Sequence, residues 1–300
     1  MYAAANPIRV VVRRGGTAEA THLVHAVAVR DGRRVAEAGD PQLVTLLRSS
    51  AKPFQALPLA AAYEDLDPRE LAIASASHLA DRGQLAAVRL LLRRAHAGED
   101  ALECGREGTP PTKLKHNCSG KHAGMLAVCR ARRWRTEGYR LPSHRMQRTN
   151  LRNVAVAARV DEDSIPTAVD GCGVVTFALS LERMAEMFTR LQESAEGRRV
   201  ADAMRAHPEL IRGDGAPDTV VMQTLGGAVA KGGAEGLLCG VLDDGTGFAV
   251  KSADGAGRAL GPAVAAFLAR LDADVSPLHE LALTNSRGEN VGTITVESNR

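Results

Sequence analysis

The stretch GLLCGVLDDGTGFAVK, residues 236–251, decides the reading of the fold. Two runs rich in Leu, Val and Ala, 236–242 and 247–251, flank Asp243-Asp244-Gly245-Thr246. Aspartates followed by glycine favour a tight turn, because glycine takes positive φ without a side-chain clash. The segment therefore reads as a hairpin. Working outward, residues 8–13 and 21–30 have similar strand character, broken at Gly15-Gly16 and Asp31-Gly32, and 292–296 forms a plausible closing strand. Between these ends, helical spacing runs through 53–62, 85–95, 120–133, 143–158, 180–191 and 200–207, where Pro208 marks a stop, and returns at 260–271. The pattern predicts an α/β (α+β) chain with a central, mostly antiparallel sheet from the N- and C-terminal strands and a helical middle region. No repeat or linker divides it, so 1–300 reads as a single domain or as two closely joined lobes.

Composition narrows the function classes. Three hundred residues, 45% of them hydrophobic, can bury a sizeable core, and with only 3% aromatics that core is built from Ala, Val and Leu. The net charge of +3 comes from arginines without a basic tail, which speaks against nucleic acid as a partner. Residues 1–12 are interrupted by Asn6, Pro7 and Arg9, unlike a secretory segment, and nothing approaches the ~18 apolar residues of a membrane span, so a cytoplasmic protein is expected. Five cysteines, an odd number, argue for reduced thiols. Cys129 lies in an apolar run, whereas Cys118, Cys172 and Cys239 sit among glycines and polar residues.

Five clusters carry chemistry. In Arg48-Ser49-Ser50-Ala51-Lys52-Pro53, Ser49 and Lys52 have the S-x-x-K spacing of serine acyltransferases, which puts hydroxyl and amine on one face of a helical turn. Pro53 places Lys52 at a helix entrance. The same tetrapeptide serves equally as a helix cap with a solvated lysine. Ala74-Ser75-Ala76-Ser77-His78 offers a second hydroxyl or a strand end. Residues 115–124, KHNCSGKHAG, crowd a thiol, two lysines and two histidines before an apolar helix; the phosphate-loop spacing is absent, while a nucleophilic Cys118 or a metal site remains open. Asp170-Gly171-Cys172-Gly173 suits recognition of an amino group or a plain turn. Finally, 230–240 leads into the hairpin that ends on Lys251, a lysine placed to act on a serine or to stay solvated.

Taken in order, Arg48 to Lys52, Ala76 to His78, His116 to His122, Asp170 to Cys172 and Lys231 to Gly236 resemble the L-asparaginase II family along nearly the whole chain. The resemblance implies a serine β-lactamase-like fold, hydrolysis of L-asparagine to L-aspartate and ammonia, and a homodimer. It implies two serine–lysine pairs, Ser49 with Lys52 and Ser77 with Lys251. It further implies substrate contacts from Arg48, His122 and Asp170, and a zinc ion on Cys118, Lys121 and Cys239. Such a set is chemically coherent: an arginine can grip an α-carboxylate, an aspartate an α-ammonium, and a serine activated by neutral lysine can attack an amide. The chain departs from the family after His78, where Leu79-Ala80-Asp81 replaces a Gly-Glu pair, and in residues 104–112. Alternative readings are a glutaminase or another amino-acid amidase or lactamase, a cysteine amidase built on Cys118, and an amino-acid-binding protein that has lost catalysis.

Overall fold

The computed structural model describes residues 5–297, so the first four residues of the amino-terminal segment lie outside it. Two compact units are formed. One takes the segments up to Thr45, Ser180–Thr189 and from Gly215 onward; the other takes Leu46–Leu179 and Arg190–Asp214. Both ends of the chain thus build the first unit, and the middle builds the second.

The first unit is organised on an antiparallel sheet in the order Glu280–Thr284, Asn290–Val296, Ile8–Arg14, Thr17–Arg30, Gly247–Ser252, Leu237–Val241 and Val229–Gly233, with Arg33–Ala38 also paired to Thr17–Arg30. Register follows burial: Val24, Ala26, Val27 and Ala28 are buried where Thr17–Arg30 faces Gly247–Ser252. The hairpin read from residues 236–251 is present, with Gly245 at φ +82° and a Leu242 N–H···O=C Thr246 bond closing the turn. Strands Val229–Gly233 and Glu280–Thr284 and helix Pro217–Thr224 were not anticipated, because their short runs lack a clear period.

Helices dominate the second unit. Lys52–Ala62 begins with Lys52 itself in the right-handed helical region despite the following Pro53, which occupies the first turn where its missing N–H costs nothing. Pro68–Ala74 was missed from sequence although Asp67-Pro68-Arg69-Glu70 forms a capping box, with Asp67 and Glu70 each accepting from the other's backbone. Asp81, in the segment that departs from the resemblance, caps Arg82–Arg94 with Gln84 as its reciprocal partner. Pro208 starts the short helix Pro208–Ile211 directly after Ala195–Ala206 ends.

Helix Ser119–Ala131 is the axis of this unit. Residues 119–129 are all buried, so it is packed on every side and lacks a strongly polar face. Gly120 is what allows this: a Cβ there would stand 2.2 Å from the carbonyl oxygen of Ile73. Because the obstacle is backbone, the helices must move apart to admit a methyl group. We expect Gly120→Ala to lower unfolding free energy by about 2 kcal/mol or more. A denaturant midpoint equal to wild type would show that the approach is looser than described.

Candidate active site

The second unit gathers most of the residues singled out by sequence. Lys52 is fully buried, and its Nζ donates to Ser77 Oγ at 2.9 Å and to the Ala76 carbonyl at 2.6 Å. The lysine of the S-x-x-K spacing is therefore bonded to Ser77, the serine for which Lys251 was the expected partner. Burial pushes the Lys52 pKa down from that of an ordinary lysine against the opposing pull of Cys118, with Lys121 adding to the lowering. Ser49 lies half-buried on the 3-10 turn Arg48–Ala51, one turn before Lys52. Ser75 caps the end of Pro68–Ala74 and spends its hydroxyl on the Leu71 carbonyl, which leaves Ser77 as the site serine of its cluster.

Ser77 is held by backbone. Its N–H donates to the Ile211 carbonyl at 2.7 Å and that of His78 to the Asn117 carbonyl at 3.1 Å. Neither N–H is left to stabilise an oxyanion. The His78 ring is equally committed: Nδ1 accepts from Ala80 N–H at 3.1 Å, so Nε2 carries the proton and donates to Ser119 Oγ at 2.8 Å, which in turn donates to the Leu114 carbonyl. His78 thus ties the Ser77 loop to the start of helix Ser119–Ala131.

Arg48 sits at φ +47°, a strained conformation for a residue with a side chain, of a kind that concentrates at functional sites. Its Nε donates to Asp170 Oδ1 at 2.6 Å, and Gly171 N–H reaches the same oxygen at 2.7 Å. Both expected amino-acid contacts therefore stand together. Among the described residues, the two terminal amino groups of Arg48 and Oδ2 of Asp170 have no hydrogen-bond partner.

His122 has no exposed surface. Tyr139, equally buried, accepts from Glu103 N–H at 2.8 Å and so points its own hydroxyl proton at His122 Nδ1, 2.8 Å away. That chain leaves the His122 proton on Nε2, an atom with no hydrogen-bond partner among the described residues. Burial first, and Lys121 next, push the His122 pKa far below the usual range. His122 is thus a neutral donor awaiting an acceptor. Tyr139 carried no signal in the sequence, since its role comes entirely from what it touches.

Sulfur chemistry occupies the adjoining space. Lys121 Nζ lies 3.1 Å from Cys172 Sγ, and the free thiol of Cys172 shares a hydrogen bond with that of Cys118, which stands at the N-terminus of helix Ser119–Ala131. The thiol gathered with Cys118 and Lys121 is therefore that of Cys172. Cys239, the expected third ligand, lies in the strand Leu237–Val241 of the other unit, opposite Lys231 and Ala249. Cys172 comes to the cluster because Asp170–Gly173 closes a turn, with Gly173 at φ +83°. The bond from Cys172, with Lys52 and Lys121 nearby, draws the Cys118 pKa well down against the effect of burial, while Cys172 is raised. One restraint works the other way: Glu107 holds the Asn117 amide nitrogen, so Asn117 Oδ1 faces Cys118 Sγ at 3.0 Å and accepts from its protonated form. Burial alone would lower Lys121, but the sulfurs of Cys172 and Cys118 and the Asp170 carboxylate outweigh it and raise its pKa. Glu107 also anchors the unfamiliar loop 104–112 through Asn117 N–H at 2.8 Å.

Lys251 belongs to the first unit, where it pairs in register with His25 and Leu237 and its ammonium bonds the Ser252 carbonyl. Burial lowers its pKa.

A sheet assembled from segments near both chain ends, a helical middle, and a cluster of buried Lys52 and Ser77 beside half-buried Arg48 and Asp170 describe a mixed α/β protein. The chain belongs to the L-asparaginase II family, whose model matches residues 10–296. Two solved structures are similar. One is Mglu in its native form in the presence of 4.3 M NaCl, 17% identical over 76% of this chain and 55% of that one, with a TM-score of 0.42. The other is a probable glutaminase from Bacillus subtilis complexed with 6-diazo-5-oxo-L-norleucine, 12% identical over 84% of each chain, with a TM-score of 0.38. The chain thus spans just over half the length of the first. No protein of curated function matches it.

His78 makes the site sensitive to acid. Burial, with Lys52 nearby, depresses its pKa from 6.5 to about 4. The unfolded chain binds this proton more readily, so the stabilisation is complete above 6.5 and is lost as pH falls from there toward the folded value. The full loss amounts to about 3 kcal/mol. Urea unfolding at neutral pH and near pH ~4.5 should show a stability gap that His78→Gln narrows by about 2 kcal/mol. An identical gap in the variant would remove His78 as the source.

Proposed function

We propose that the protein hydrolyses the side-chain amide of a small amino acid, L-asparagine in preference to L-glutamine, through a serine activated by a neutral lysine. The observation that carries this reading is the buried Lys52 amine bonded to Ser77 Oγ and to the Ala76 carbonyl. A neutral amine has two N–H bonds, and those acceptors use both. Its lone pair is then available for the hydroxyl proton of Ser49. Ser49 attacks the amide carbon and Lys52 takes its proton; as the C–N bond breaks, Lys52 returns that proton through Ser77, which passes one on to the departing ammonia, and water then releases the acid from the acyl-enzyme. Arg48 takes the substrate α-carboxylate, Asp170 Oδ2 the α-ammonium, and His122 Nε2–H a further substrate oxygen.

Ser49 is preferred as nucleophile because the Ser77 and His78 N–H groups are already donated and Ser77 is only 4% exposed. The Lys52–Ser77 bond itself favours the second reading, in which Ser77 attacks. In either case Lys52 fills the place expected for Lys251. Ammonia release from L-asparagine, L-glutamine and β-alanine amide should single out asparagine, and Ser49→Ala should lower the rate by roughly 10³-fold or more. Activity should rise with pH as Lys52 loses its proton, with the midpoint below the 10.5 of an ordinary lysine. An acyl-enzyme that forms in Ser49→Ala but not in Ser77→Ala would exchange their roles. Absence of turnover on all three amides would withdraw the activity and leave the family alone.

A zinc ion, as the resemblance implies, would on this reading be held by Cys118, Lys121 and Cys172. Ligands at ~2.3 Å and ~2.1 Å on a tetrahedral centre stand about 3.6 Å apart, so the Lys121–Cys172 separation of 3.1 Å needs little adjustment. When bound, the metal would supply a fixed positive charge able to polarise an oxygen ligand. Because Lys121 must bind as the neutral amine, zinc content should increase with pH. Metal analysis should find about one zinc per chain, lost in Cys172→Ser and kept in Cys239→Ser. The opposite pattern would restore Cys239 to the ligand set.

A further inference from the structure

The arginines are distributed unevenly. From Arg130 to Arg159 nine arginines stand with Glu137 as the only acid, a surplus of eight positive charges in a chain whose total is +3. Two of the nine have carboxylate partners, Arg140 with Glu103 and Arg152 with Glu162. Arg132, Arg133, Arg135, Arg145, Arg148 and Arg159 are exposed, and among the described residues none of them has a carboxylate within ion-pair distance. Like charges held this close repel one another and raise the local potential, which draws anions.

Four of these arginines surround a cavity. Arg133, Arg135, Arg145 and Arg148, together with Trp134 and His144, line a space of about 560 Å³. Its frame is well tied: His144 Nδ1 accepts from Met146 N–H at 3.0 Å, and its Nε2 donates to the Arg135 carbonyl at 3.0 Å. The loop that carries Arg133 and Arg135 is thereby fastened to the start of helix Arg145–Ala158. His144 is used up in this fastening, so the charged and aromatic groups facing a ligand are the four guanidinium groups, the indole and the single carboxylate of Glu137, a surplus of three positive charges.

Guanidinium groups bind phosphate oxygens through paired N–H donors, and an indole offers a flat apolar surface on which a ring stacks. The volume lies within the range of about 300–1,000 Å³ usual for small-ligand pockets. We propose that this cavity binds a nucleoside di- or triphosphate, with the base against Trp134 and the phosphates on Arg133, Arg135, Arg145 and Arg148. A single stacking platform accommodates one base; a nucleic-acid strand calls for successive platforms, and Trp134 is the only tryptophan in the chain. The site is separate from the amidase residues and holds whether or not asparagine is the substrate.

That single tryptophan also makes the test direct. Indole fluorescence of the full-length protein is titrated at physiological salt with ATP, ADP, adenosine, inorganic triphosphate, a single-stranded oligonucleotide and anionic vesicles, with calorimetry alongside. ATP and ADP should give a saturable fluorescence change at micromolar to submillimolar concentration, with adenosine and triphosphate each weaker. Charge reversal of the exposed pair, Arg145→Glu with Arg148→Glu, should weaken ATP by about tenfold or more. A thermal midpoint equal to wild type certifies that this double variant folds. By calorimetry Trp134→Phe should narrow the preference for ATP over triphosphate. No saturable binding of ATP up to millimolar concentration, or equal binding of triphosphate and ATP, overturns the proposal. Much tighter binding of the oligonucleotide or the vesicles overturns it as well, in favour of a polymer or a lipid surface.

Discussion

Lys52 has an ionisable nitrogen with no contact with water, and the arrangement of the helical unit follows from accommodating it. A buried ammonium is expensive unless paired, so the group either finds acceptors or gives up its proton. Here it finds two acceptors on one loop, Ala76 O and Ser77 Oγ. That loop must not drift, and bonds to Ile211, Asn117 and, through His78, Ser119 hold it from three directions. Gly120 then lets the Ser119–Ala131 helix approach the loop's supporting helix closely enough for the network to close.

The same burial has opposite results at two lysines. At Lys52 burial, aided by Lys121, outweighs the pull of the Cys118 and Cys172 sulfurs and favours the amine, whereas at Lys121 those two sulfurs and the Asp170 carboxylate outweigh burial and favour the ammonium. Neighbours rather than depth decide the sign. Environments that drive two similar groups apart are how one site provides both a base and a cation.

The fold was largely legible before any coordinates. Strand pairing between the chain ends followed from β-branched runs and the Asp243–Thr246 turn, and the long helices from their spacing. What escaped were elements too short to show a period, such as Val229–Gly233, and Pro68–Ala74, whose capping box was present but unread. The whole-chain net charge also hid the concentration of arginines between Arg130 and Arg159, because it averages over acids elsewhere.

Sequence by itself determined the family, the clusters that carry chemistry and their order, since motif residues and spacing are linear properties. Partnership was decided by tertiary structure alone. Which serine meets Lys52, whether Cys172 or Cys239 joins Cys118 and Lys121, and that Tyr139 sets the proton position on His122 all depend on contacts between residues 17 to 51 positions apart. Hydrogen bonds reach about 3 Å and burial changes ionisation only where water is excluded. Neither condition is written in spacing along the chain, so both had to be read from the packed molecule.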